Sequence, residues 1–164
     1  MSAYHFVTVW NVDAEPAAVY DVLADPLDLP RWWPSVYLDV RELRPPPTKG
    51  AVGGAYALYT KGWLPYTLRW TLTSTAAERP RRLALAATGD FEGRGVWTLE
   101  PSARGTRVTF DWEVVANKPL LRRFSWLLRP VFSANHEWAM RQGLASLRRE
   151  LARGTTSRSG TLSS

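Results

Sequence analysis

The chain has 164 residues, 45% hydrophobic and 22% charged, which suits one domain able to bury most of its apolar surface and is too short for two comfortable cores. It contains no cysteine, which excludes disulfides, thiolate metal sites and a cysteine nucleophile and points to a reducing, cytoplasmic setting. The net charge of +6 comes from arginines scattered over predicted turns and outward strand faces, not from a dense basic stripe, so nucleic acid is not expected as a partner. No leader pattern opens the chain, and no apolar run approaches the roughly 20 residues that span a bilayer.

Residues 4–12 alternate with period two, so Tyr4, Phe6, Thr8 and Trp10 share one face of a predicted strand. His5 falls on the other face, where a surface or edge role is expected. Asp13 is placed to cap the next helix, 17–24, Pro16 fits its first turn, and Val19, Val22 and Leu23 form its apolar face before Asp25-Pro26 ends it. A second short helix is predicted over 27–32, confined by Pro30 and Pro34. Trp32 and Trp33 are adjacent, so a regular helix cannot point both rings the same way. One is expected to pack inward and the other toward the mouth of a cavity; the alternative is that both complete the core.

Strand-like segments follow at 36–43, 55–60, 66–73, 82–88, 94–100 and 106–116, separated by Pro45-Pro46-Pro47, Pro80, a connection at 89–93 and a turn at 102–105. Residues 66–73 place Tyr66, Leu68, Trp70 and Leu72 on one face and Thr67, Arg69, Thr71 and Thr73 on the other. Val108, Phe110, Trp112 and Val114 likewise oppose Thr109, Asp111 and Glu113. Such alternation predicts an antiparallel sheet with one dry and one solvated face, since parallel sheets covered on both sides read as continuous apolar runs.

At the C-terminus an apolar, arginine-decorated stretch covers 120–128, Pro130 is expected to interrupt it, and 131–151 has helical periodicity. Phe132, His136, Met140, Gly143, Leu144, Leu147 and Leu151 form the stripe. That stripe needs an apolar surface of its own size, and the dry face of the sheet supplies one. Residues 153–164 are rich in Ser, Thr and Gly and are expected to be a disordered tail after a single domain of residues 1–152.

The order of a strand, two short helices with the Trp32-Trp33-Pro34 elbow, a six-strand meander and a terminal helix containing residues 135–144 (NHEWAMRQGL) resembles the polyketide cyclase/dehydrase branch of the START-like, Bet v 1-like superfamily. The resemblance covers residues 4–151. It implies an α+β helix-grip fold, a bent antiparallel sheet of about seven strands wrapped around a long C-terminal helix, with a hydrophobic cavity between them. Its members include carriers of lipids and sterols as well as aromatase/cyclases, so a hydrophobic small molecule such as a lipid, sterol-like or aromatic polyketide ligand is the expected partner. The alternative is a cyclase or dehydratase acting on a ligand in the same cavity; no residue matches a catalytic motif of the enzymatic relatives.

In that architecture Trp70, Trp97, Phe110 and Trp112 form the floor of the cavity together with Leu68, and Phe132, His136, Met140 and Gly143 form its roof, with Trp32 and Trp33 at one wall. Tyr66 shares a face with Leu68 and Trp70, so its hydroxyl reaches inward. His136 is the histidine placed for proton exchange, because burial favours a neutral imidazole; a structural histidine bonded to a carbonyl or to tryptophan explains the same position. Asn135 is read either as a donor to a ligand carbonyl or as a cap after Pro130. Of the other polar residues weighed, Tyr56 and Tyr59 receive no role, and Arg69, Asp111 and Glu113 fall on the convex face, where cross-strand ion pairs account for them. No metal and no cofactor are expected, because no histidine and carboxylate recur at a helix-compatible ligand spacing. The protein is expected as a monomer or homodimer. Residues 120–129 combine leucine, tryptophan and arginine in the manner of an interfacial helix, which makes peripheral membrane contact a further reading; a lead-in to the long helix is the alternative.

Overall fold

The period-two segments assemble into one seven-stranded antiparallel sheet in the order β1-β7-β6-β5-β4-β3-β2. The structure, a computed structural model, describes residues 3–117 and 119–159, with side chains described outside 120–122, 124–126 and 155–159. Its strands are β1 (Ala3–Val12), β2 (Tyr37–Arg44), β3 (Ala55–Lys61), β4 (Thr67–Glu78), β5 (Arg82–Gly89), β6 (Phe91–Ser102) and β7 (Gly105–Ala116). The helices are α1 (Pro16–Leu23), α2 (Leu29–Trp32), preceded by a 3-10 turn (Pro26–Asp28), and α3 (Pro119–Ser159). β2 to β7 form a meander of antiparallel neighbours, and β1 returns to pair with β7 over its whole length, Ala3 opposite Val115 and Val12 opposite Thr106. Register shifts at Ser74/Ala76 in β4 and at both ends of β2 mark bulges, which bend a sheet and let it curl around a helix. This is the helix-grip fold, with α3 held in the concave face.

Four local expectations need correction. Asp13 is not the cap of α1: that position falls to Glu15, which makes no side-chain cap bond, and Pro16 opens the helix, where a missing N–H costs least. The glycines between 89 and 93 do not form a connection. β5 runs to Gly89 and β6 begins at Phe91, and Gly93 sits inside β6, where a Cβ would overlap the carbonyl of Glu113. β4 continues past Thr73 to Glu78. Pro130 does not break the last helix, which runs through it. A proline in a helix interior costs about 3 kcal/mol or more. Here its neighbours are anchored: Arg129 donates to the carbonyl of Ala3 at 2.6 Å, and Phe132 packs edge-on against Tyr4 at 5.8 Å. α3 continues to Ser159, into the segment 153–164 read from composition as a disordered tail; residues 160–164 lie outside the described residues.

The core is solid at one end of α3 and hollow at the other. Leu147, Val19, Leu99 and Val108 are fully buried in one core cluster, and Thr106, also fully buried, donates its hydroxyl to the carbonyl of Ala14 at 2.6 Å. Arg31 bridges Asp28 and Glu150, which ties α2 to the C-terminal half of α3. Arg148 donates to the carbonyl of Asn11 at 3.0 Å, so arginines from α3 occupy carbonyls of edge strand β1 at both of its ends. Around residues 132–140 of α3 the sheet presents aromatic rings, and an internal space is left between helix and sheet. No helix among the described residues is long and apolar enough to cross a membrane.

Candidate functional site

The internal space is a cavity of about 220 Å³ between the concave face of the sheet and residues 132–140 of α3. Its floor follows from strand alternation: each inward position on β1, β4, β6 and β7 that carries a ring delivers it to the same side. Trp97 stacks on Phe110 at 4.1 Å, Phe110 on Trp112 at 5.7 Å, and Trp112 meets Trp70 at 5.7 Å, giving a continuous aromatic row across three strands. Pairs in such offset and tilted arrangements contribute about 0.5–1.5 kcal/mol each beyond the area they bury. Gly95 on β6 leaves room for this row, since a Cβ there would press on the rings of Phe110 and Trp112 at 2.9 Å.

Eleven of the thirteen expected site residues line the cavity: Trp33, Tyr66, Leu68, Trp70, Trp97, Phe110, Trp112, Phe132, Asn135, His136 and Met140. Trp32 and Gly143 do not. Both tryptophans of the elbow are buried, and the division of labour between them is set by Gly143. A Cβ at Gly143 would overlap the indole of Trp33, so the bare backbone of α3 receives that ring, and Trp33 reaches the cavity wall from there. Trp33 also meets Trp10 and Tyr37 edge-on at 5.9 and 5.1 Å, while Trp32 packs behind it at 5.5 Å. The indole nitrogens of both are buried without a hydrogen-bond partner.

His136 stacks on Phe6 with centroids 4.2 Å apart, and its Nε2 is buried with no hydrogen-bond partner. Burial pushes its pKa down to about 4, so the imidazole is neutral at pH 7. Burial, reinforced by Tyr4, pushes Tyr66 up to about 12, and burial also raises Tyr37. Asn135 has a defined task. Its Oδ1 accepts the backbone N–H of Trp63 at 2.9 Å, and Gly62 is so close that a Cβ there would overlap the carboxamide. This bond ties α3 to the 62–66 segment at the mouth. Trp70 donates its indole N–H to Thr60 Oγ1 at 3.2 Å inside the wall.

Tyr4, Phe6, Tyr37 and Tyr56 also line the cavity and were not among the expected ligand contacts. The alternation of β1 placed Tyr4 and Phe6 on the face of Trp10, so that signal was present. Tyr37, on a mostly exposed edge strand, carried none. The convex face holds the remaining polar residues: Arg69 lies over the ring of Tyr59 at 4.4 Å, and Asp111 accepts from His5 at 2.8 Å. Glu113 accepts from Arg94 at 3.1 Å. His5, Asp111 and Glu113 bring their ligand atoms within 4.8 Å of one another, on the side of the sheet away from the cavity. Among the described residues lining the cavity there is no aspartate, glutamate or arginine, and the one lysine, Lys61, is exposed at the end of β3.

Residues 4–152 match the family described as "Polyketide cyclase / dehydrase and lipid transport". Among solved structures the chain is similar to the Zhui aromatase/cyclase of Streptomyces sp. R1128, with a TM-score of 0.73 at 17% identity over 93% of this chain and 95% of that one. It is equally similar to TTHA0849 of Thermus thermophilus, with a TM-score of 0.73 at 18% identity over 93% and 99%. At these identities the likeness carries the fold. No match was found among curated proteins.

Proposed function

This chain belongs to the polyketide cyclase/dehydrase and lipid transport family, and we propose that it binds a compact hydrophobic small molecule in the cavity under α3 and carries or sequesters it without chemistry. The observation that carries this reading is an internal cavity of about 220 Å³ with an aromatic floor and, among the described residues, no carboxylate in its lining. Drug-sized ligands occupy roughly 300–1,000 Å³, and an apolar cavity of about 150 Å³ admits benzene, so the space suits one or two fused rings or a short acyl chain.

A cyclase or dehydratase would need an acid and a base poised near the working pH. Burial moves the two residues placed for that work the other way, His136 down to about 4 and Tyr66 up to about 12. A neutral, weakly basic imidazole stacked on Phe6 serves better as a wall of the cavity than as a proton acceptor. The binding unit spans residues 1–152, acts as a monomer or homodimer, and works in a reducing, cytoplasmic setting consistent with the absence of cysteine.

Denaturing extraction of freshly purified protein followed by mass spectrometry is expected to release an apolar compound of one or two rings or a short chain. In parallel, naphthalene-type probes should quench the fluorescence of the tryptophans that form the floor. Failure of every apolar probe to alter that fluorescence, with nothing extracted, overturns the reading. Turnover of a polyketide-like substrate that His136→Phe abolishes while affinity survives would establish the enzyme instead.

A further inference from the structure

One polar atom of the cavity lining differs from the rest in its surroundings. Nε2 of His136, the nitrogen at the tip of the side chain, is buried with no hydrogen-bond partner. Phe6 stacks on the ring at 4.2 Å, and Phe132 and Met140 lie one turn before and after it on the same face of α3, so these neighbours offer it nothing to bond. The other polar groups of the lining are differently placed. Asn135 and Thr60 already accept from Trp63 and Trp70, and Tyr4 and Tyr66 hold interactions of their own. Tyr37, Tyr56 and Ser74 contribute hydroxyls, which donate and accept alike and so select no one partner. The indole N–H of Trp33 is also buried without a partner, but the ring edge beside it is the one that Gly143 receives, so it lies against α3 at the elbow. No aspartate, glutamate or arginine is among the described lining residues, and Lys61 falls with Tyr59 on the outward side of β3, so no charge is at hand for Nε2.

From this we infer that the occupant is a neutral alcohol or phenol: an apolar body on the aromatic floor, with its hydroxyl turned inward to Nε2 of His136. This rests on the cavity reading above and adds polarity and orientation to it. A buried nitrogen left unpaired carries a standing cost, which a hydrogen bond from the ligand removes. A water molecule fills such a place only where about two to four polar groups converge, and Phe6, Phe132 and Met140 supply none. The imidazole is neutral at pH 7, since burial lowers its pKa to about 4, so Nε2 is either an acceptor or a neutral donor according to the tautomer. A hydroxyl satisfies both forms. A ketone or ether satisfies only an Nε2 that bears the hydrogen, and a carboxylate or ammonium would enter without a counter-charge.

The test uses the full chain and two uncharged probes of matched shape, 2-naphthol and 2-methylnaphthalene. Their affinities for the wild type and His136→Phe are measured by tryptophan fluorescence and calorimetry at pH 7. The readout is the ratio of the two affinities within each protein, so a change of cavity size that acts on both probes drops out. Removing the nitrogens should lower the ratio of 2-naphthol to 2-methylnaphthalene by about fivefold to fiftyfold, the effect of burying a hydroxyl without its partner. A second measurement needs no variant: in the isotope-labelled wild type, 2-naphthol should shift the nitrogen NMR resonance of His136 Nε2 further than 2-methylnaphthalene does. An unchanged ratio, or a resonance that answers both probes alike, overturns the hydroxyl site, and the cavity reading stands as long as either probe binds. Binding of neither probe overturns both.

Discussion

Acid should destabilise this protein through one side chain well before its carboxylates titrate. The pKa of His136 falls from an ordinary 6.5 to about 4 because its ring is stacked on Phe6 under α3 and its Nε2 has no partner. The folded state thus favours the neutral imidazole, while the unfolded chain takes up a proton as pH falls below about 6.5. The stability His136 allows is complete above that pH, erodes as pH falls, and reaches its full loss below about 4. Each pH unit between those limits is worth about 1.4 kcal/mol, so the loss is about 2 kcal/mol at pH 5 and about 3 kcal/mol in full. Asp21 and Glu113, whose pKa values are lowered chiefly by their hydrogen bonds to Arg79 and Arg94, begin to lose their contributions only as pH falls through their ordinary values of 3.8 and 4.5, below the pH 7.5 to 5 span of the assay. The assay is urea unfolding at pH 7.5, 6 and 5 for the wild type and His136→Phe, a substitution that keeps a ring against Phe6 and removes the titrating nitrogens. The wild type should lose about 2 kcal/mol relative to the variant between pH 7.5 and 5. Parallel curves for the two proteins would refute the burial of His136 and, with it, the assignment of that residue to the cavity roof.

Three substitutions probe the construction of the site. Gly143→Ala should destabilise by about 1–3 kcal/mol, because the new methyl group overlaps the buried Trp33 ring; a gain of about 1 kcal/mol in unfolding free energy, the usual effect at an open helix position, would show that the ring is not there. Asn135→Ala should leave the Trp63 N–H without its acceptor and speed hydrogen exchange at that amide, with a cost of about 1 kcal/mol; unchanged exchange at Trp63 would remove the tie between α3 and the mouth. Thr60→Val keeps the volume but strands the indole N–H of Trp70 inside the wall, and chemical denaturation should register a loss of about 1–3 kcal/mol; a loss below about 0.3 kcal/mol would mean the bond contributes nothing.

Much of the site could be read in advance because a strand delivers side chains to alternate faces whatever its partners are. Trp70, Trp97, Phe110 and Trp112 were legible from period two alone, and Phe132, His136 and Met140 from helical spacing. Tyr4 and Phe6 carried the same signal on the face of Trp10. Where context outweighed local preference, the reading went astray. Gly93 reads as a connection, yet it sits in a strand because the carbonyl of Glu113 leaves no room for a side chain. Pro130 reads as a helix end, yet the contacts of Arg129 and Phe132 with β1 carry the helix through it.

By itself, then, the sequence determined the identity of the elements, the dry face of the sheet, the stripe of α3 and the family likeness, all of which depend on spacings along the chain. Only the tertiary structure decided which of the paired tryptophans reaches the cavity, that Asn135 holds Trp63, and that Nε2 of His136 is buried without a hydrogen-bond partner. Those outcomes depend on approaches between residues far apart in sequence. Trp33 finds its place because Gly143, a hundred and ten positions later, presents bare backbone to it, and spacing along a single element cannot encode that meeting.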